Sequence, residues 1–191
     1  MLKTFARAVE YAAVKHHGQT RKGKDALPYI VHPLRVAQLV MQAAPKRGYE
    51  TAVIAAVLHD TVEDTTASYA DLVAEFGVEV ADVVAELTDE SAGPIHDRKA
   101  VQATKAPSMS IMARIVKIAD QTDNVHDAAY HPAVDWSDKK RMDYIDLASK
   151  VVQACQAKEN PVITRLVSTF MDEAHRAKLL LDAFSAISER K

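Results

Sequence analysis

The sequence predicts an all-α protein, a single helical bundle of about eight to ten helices spanning residues 1–191. Only five glycines and seven prolines punctuate the 191 residues, and between them apolar residues return every three or four positions, the repeat of an amphipathic helix. No run of β-branched residues alternates cleanly between turn signals, so strands are not expected. A content of 48% hydrophobic and 26% charged residues suits one domain with an ordinary core and rules out disordered and fibrous chains.

The first helix carries a stripe of Phe5, Val9, Ala12 and Ala13, and Gly18 ends it before a basic loop, Gln19 to Leu27, holding Arg21, Lys22 and Lys24. Pro28 fixes that break. A second helix starts at His32-Pro33, where proline's missing N–H costs nothing, and runs to Ala44. The third, Tyr49 to His59, is apolar on most faces and is expected at the centre of the core. Tyr69 to Phe76 and Val78 to Leu87 follow, divided by Gly77. After a loop at Asp89 to Pro94 come helices at Ile95 to Ala106 and Met109 to Val125, then longer ones near Asp135 to Lys158 and Pro161 to Ser188. Residues 17–150 hold the motifs described below, with the C-terminal helices, residues 135–188, packing on them.

A formal charge of −2 provides no global positive field to hold DNA or an anionic membrane, so any anionic partner must be gripped locally. No apolar run approaches the roughly 18 residues of a membrane span. The single cysteine, Cys155, cannot form an internal disulfide or a thiolate zinc cluster, and a reducing cytoplasm is the expected compartment. The chain reads as soluble and unprocessed.

The feature that carries chemistry is Leu58-His59-Asp60-Thr61-Val62-Glu63-Asp64-Thr65, a histidine and three carboxylates at the polar end of an apolar helix. Each residue alone admits a structural role, because a carboxylate caps a helix end and a histidine bonds backbone. Together they are costly to bury without a partner. If the helix continues, His59 lies one turn below Glu63 and Asp60 one turn below Asp64, on one cleft wall. An imidazole nitrogen beside a carboxylate oxygen suits Mn²⁺, Fe²⁺ or Zn²⁺. Further ligands must come from elsewhere. His32 and Asp120 sit where apolar neighbours draw the chain inward, and each alone could equally be a helix cap or the ion-pair partner of Lys117.

The ordered set Arg21…Pro28-Tyr29-Ile30-x-His32-Pro33, the block around His59-Asp60, and Lys117-Ile118-Ala119-Asp120-x-x-x-Asn124 resembles the HD-superfamily hydrolase domain of RelA/SpoT homologues. It is most similar to the small stand-alone alarmone hydrolases, over roughly Phe5 to Cys155. The resemblance implies one Mn²⁺ held by His32, His59, Asp60 and Asp120, and removal of the 3′-pyrophosphate of ppGpp or pppGpp to give GDP or GTP. It makes Glu63 and Asp64 the catalytic pair, with Glu63 the first choice to orient or deprotonate water. Arg21 and Lys22, Lys117, Asn124, Arg141 and Tyr144 become substrate contacts, with Lys140 beside them. The implied partner is a small-molecule nucleotide, without DNA or membrane, and the oligomeric state stays open.

Departures from the family pattern fall at Ser91, Gln121, Thr122, Asp123 and His126, where a lysine or a cation, leucine, aromatic and arginine are usual. They are expected to alter the wall beside the nucleotide and weaken affinity for four or five phosphates. Two other readings stay open: a phosphohydrolase of another nucleotide, such as NADPH or a nucleoside monophosphate, and a non-catalytic nucleotide-binding regulator. His16 and His17 read as a helix end, His96, His131 and His175 have no partner pattern, Trp136 reads as packing at a helix start, and Cys155, Met109, Met112, Met142 and Met171 as core.

Overall fold

The computed structural model describes residues 1–44, 47–89 and 93–188. Its helices are α1 (Leu2–Lys15), α2 (Val31–Ala43), α3 (Glu50–Leu58), α4 (Thr61–Asp64), α5 (Tyr69–Phe76), α6 (Val78–Leu87), α7 (Ile95–Lys105), α8 (Ile111–Tyr130), α9 (Asp138–Ala154) and α10 (Pro161–Ser188), with a 3₁₀ turn at Ala106–Ser108 between α7 and α8. No strand occurs among the described residues, and extended pairing is limited to two isolated bridges, Thr20 with Pro28 and Gly23 with Ala133. No helix among them is long and apolar enough to cross a membrane.

Two helices share the centre. In α3 every residue from Ala52 to Leu58 is buried, and the helix packs against α1, α2, α6 and α8. Hydropathy marks that helix. It marks α8 less completely, although nine consecutive residues there, from Ile115 to Asp123, are also buried and the helix packs against α2, α3, α6, α9 and α10. Its middle turns carry Lys117, Asp120, Gln121, Thr122 and Asp123, so its interior is partly ionic. Burying those groups is tolerable only if each finds a partner. The cluster of charges around α8 is the consequence.

Local sequence sets the ends. Ser68 and Asp71 form a reciprocal capping box on α5, while Ser110 and Ser137 cap α8 and α9. Gly77, at φ +87°, lets the chain reverse between α5 and α6 where an L side chain would be strained. Gly23 serves a close approach instead: a Cβ there would sit 2.6 Å from the carbonyl oxygen of His131, so only glycine lets the basic loop lie against the α8–α9 connection. The stripe of α1 differs from expectation by one position, since Ala8 and Ala12 are buried while Ala13 is exposed.

The third helix ends where the sequence places its end, near His59, and does not run on through Asp64. The helix stops at Leu58, His59 and Asp60 form a turn, and α4 begins at Thr61. Buried Thr61 donates its hydroxyl to the Leu58 carbonyl at 2.7 Å, satisfying a helix-end acceptor that the break leaves free. The Asp64 amide still donates to the Asp60 carbonyl at 2.8 Å, so the acidic turn stays compact.

Candidate metal centre

His59 Nδ1 lies 2.9 Å from the Ala56 carbonyl, which assigns its hydrogen to Nδ1 and leaves Nε2 turned toward Asp60 and Asp120. His32, on the first turn of α2, brings its own Nε2 to the same point. The two Nε2 atoms lie 3.3 Å and 3.7 Å from Asp120 Oδ1 for His32 and His59, and 3.5 Å and 3.1 Å from Asp60 Oδ2. Two nitrogens and two carboxylate oxygens from α2, the α3–α4 turn and α8 therefore converge. His59 Nε2 is buried and makes no well-aligned hydrogen bond although Asp60 Oδ2 is 3.1 Å away, the condition expected of a ligand atom aimed at a cation. His32, His59 and Asp120 meet the distance requirement for a shared ion. The donor set fits a divalent metal of borderline hardness.

The electrostatics point the same way. Burial works to keep His59 neutral, but Asp60 and Asp120 outweigh it and raise it to about 10. Burial also opposes a charge on His32, and its contacts with Asp120 and Asp123 raise it nonetheless. Burial disfavours the charge on Asp60 and Asp120, and the adjacent imidazoles hold both well below the usual carboxylate range.

The remaining predicted residues surround this cluster to different degrees. A cleft of about 600 Å³ is lined by Arg21, Lys22, Asp60, Glu63, Asp64, Lys117, Asp120, Asn124 and Tyr144, together with Tyr29, Asp89, Arg98, Lys99, Gln102, His131 and Trp136 among others. Such a volume accommodates a nucleotide. Asn124 donates to Asp120 Oδ1 at 2.5 Å and accepts from Arg21 at 2.9 Å, joining the basic loop to the His–Asp cluster. Lys117 is buried, donating to the Leu87 carbonyl at 3.3 Å. Lys24 is exposed and outside the cleft lining. Arg141 is not on the cleft wall: its buried guanidinium donates to the Ala128 and Ala129 carbonyls and pairs with Asp138, tying the end of α8 to α9.

Glu63 accepts from the Asp89 amide and from Arg98, both at 3.0 Å, while burial raises its carboxyl above the ordinary value. The Tyr29 hydroxyl stands 2.6 Å from Asp60 Oδ2 and 3.1 Å from Asp64 Oδ2, between a ligand candidate and an acid of the pair. Arg98 and Lys99 are cleft cations that the sequence reading passed over. Lys99 lies over the Tyr144 ring, and burial lowers it to about 8. Their signal was Arg98-Lys99-x-x-Gln102, three polar residues within one turn of α7, of which Lys99 and Gln102 are buried.

The expected alteration of the nucleotide wall is also corrected. Gln121, Thr122, Asp123 and His126 do not line the cleft. Gln121 joins Lys99 to Asp120, Thr122 bonds the Ile118 carbonyl, Asp123 contacts the far side of His32, and His126 faces Glu173 on α10. The helix period carries these positions behind Asp120 rather than toward the opening. Ser91 lies outside the described residues. Trp136 and His131, read as packing and as unpartnered, line the cleft, and His131 lies 3.4 Å from Asp25. His16 stacks on Tyr29 at 4.6 Å without entering the cleft lining.

An all-helical bundle whose histidines and aspartates meet at one point is the arrangement of HD-type proteins, and residues 8–143 match that family: the chain belongs to the HD domain family. More particularly, it is 36% identical over 167 residues to guanosine-3′,5′-bis(diphosphate) 3′-pyrophosphohydrolase MESH1 of Xenopus tropicalis, covering 87% of this chain and 92% of that protein. The human MESH1 is 37% identical over 151 residues, covering 78% and 83%. A solved structure of a metazoan ortholog of SpoT, described as hydrolysing ppGpp, superposes with a TM-score of 0.78 at 32% identity, covering 88% of this chain and 94% of that one.

Proposed function

We propose that the chain is a Mn²⁺-dependent hydrolase that removes the 3′-pyrophosphate of ppGpp or pppGpp, giving GDP or GTP and pyrophosphate. The convergence of His32 Nε2, His59 Nε2, Asp60 Oδ2 and Asp120 Oδ1 at one point carries the reading. These four residues hold the ion. When bound, it supplies Lewis-acid polarisation of a phosphoryl oxygen and makes a water more acidic. Water attacks phosphorus, the bond from phosphorus to the ribose 3′ oxygen breaks, and Glu63 takes the water's proton, with Asp64 assisting its passage to the leaving oxygen. Glu63 is held for that task by Arg98 and the Asp89 amide.

Arg21, Lys22, Arg98, Lys99 and Lys117 bring positive charge to the cleft for an anionic substrate, within a chain of negative net charge. Asn124 keeps Arg21 in register with Asp120, and Tyr144 and Trp136, 5.2 Å apart between ring centres, bring aromatic surface to the cleft lining for the base. The single thiol, Cys155, is buried and free, which suits a reducing cytoplasm.

Anion-exchange product analysis tests the proposal, using ppGpp, pppGpp and a nucleotide panel that includes NADPH, with Mn²⁺ and with chelator. Metal-dependent release of pyrophosphate from ppGpp is expected. Orthophosphate release from other nucleotides alone would move the activity to a different substrate, and tight ppGpp binding without turnover would make the chain a regulator.

A further inference from the structure

Asp123 is buried on α8, one turn beyond Asp120, and its Oδ2 lies 2.7 Å from His32 Nδ1. The opposite nitrogen of that ring faces Asp120 and Asp60. A neutral imidazole has one hydrogen and one lone pair, so a carboxylate at Nδ1 assigns the hydrogen there and leaves Nε2 as the donor to a cation. The two histidines of the cluster differ here: His59 has only a backbone carbonyl behind it, whereas His32 has a full negative charge. Asp123 is itself held, because its Oδ1 lies 3.8 Å from Arg35, which donates to Asp127 at 3.1 Å, and Asp127 accepts from the cleft residue Arg21 at 2.8 Å. An ion network thus runs from the back of His32 to the basic loop.

We infer that Asp123 is the positioning residue for His32, fixing its ring and tautomer so that Nε2 is presented to the metal, with Arg35 as the brace that holds the carboxylate. The inference rests on the reading of His32 as a ligand. A carboxylate behind a ligating histidine sharpens its direction and raises its basicity, and loss of such a partner commonly costs 10- to 100-fold in metal affinity.

The test is the Mn²⁺ dissociation constant of the full chain, read by competition with a chromogenic chelator, for the parent, Asp123→Ala and Asp123→Asn. Asp123→Ala is expected to weaken Mn²⁺ binding by about 10- to 100-fold, and Asp123→Asn, which keeps an oxygen acceptor, to recover most of the loss. A fall in the unfolding temperature of Asp123→Ala with Mn²⁺ affinity within about twofold of the parent would reduce Asp123 to a structural ion-pair partner and overturn the inference. A parent chain that takes up no Mn²⁺ would instead overturn the metal reading itself. Should Asp123→Ala fail to fold, ¹H–¹⁵N spectra of the unsubstituted Zn²⁺-loaded chain decide: a His32 Nδ1 proton shifted further downfield than that of His59, as a carboxylate acceptor requires, supports the inference, and one at no lower field than the carbonyl-bonded His59 proton contradicts it.

Discussion

Glu63 and Arg98 form an ion pair at 3.0 Å that spans the cleft from α4 to α7, and the second oxygen of Glu63 accepts the Asp89 amide. Both oxygens of the acid proposed to handle the water's proton are therefore fixed in direction. A side chain so restrained can act as an oriented base without itself holding the metal.

Replacing that carboxylate by an amide separates the two roles. Glu63→Gln is expected to keep Mn²⁺ bound and to slow ppGpp hydrolysis by about 10²-fold or more, the scale of lost acid–base assistance. Metal content measured beside the single-turnover rate checks it. A normal rate would pass the role to Asp64.

Proton competition gives a pH dependence. In the metal-free chain His59 stands at about 10, above its ordinary 6.5, because Asp60 and Asp120 overcome the effect of burial. Its contribution to metal-free stability is thus complete below about pH 6.5 and is lost as pH rises toward 10. A divalent ion must displace that proton, so Mn²⁺ affinity should rise with pH, by about tenfold per unit for each proton released. Unfolding temperatures of the metal-free chain and Mn²⁺ titrations across pH 6.5 to 9 read the two trends, which should run in opposite directions.

Arg141 separates support from substrate contact. Its guanidinium is engaged by the Ala128 and Ala129 carbonyls and by Asp138, away from the cleft. Arg141→Ala should lower stability by about 1–3 kcal/mol, the cost of leaving a buried acceptor unpaired, and leave KM for ppGpp nearly unchanged. A large rise in KM with unaltered unfolding would place the side chain on the substrate.

The helical architecture was legible because its determinants are local: sparse glycine and proline, apolar residues at the helical repeat, and the apolar run of α3. The His59-Asp60 block was legible for the same reason, as charges set against an apolar helix. The apolar stretch leading to Asp120 was legible too, but hydropathy cannot tell that Lys117, Gln121 and Asp123 lie inside paired with other groups rather than outside in water. The expectation that Gln121, Thr122, Asp123 and His126 form cleft wall rests on the family pattern, and the helix period turns those positions away from the opening. The cations of α7 were missed for a related reason: Arg98 and Lys99 reach the cleft through the tertiary placement of α7, and nothing local distinguishes them from a solvated helix face.

Calorimetric titration of the metal-stripped chain with Mn²⁺, repeated on His59→Ala and Asp120→Ala, measures the central claim most directly. The account requires about one tight ion per parent chain and loss of that site in both variants, as follows from an ion held by few protein ligands. Tight one-to-one binding that survives both substitutions would show that the two side chains do not share a cation.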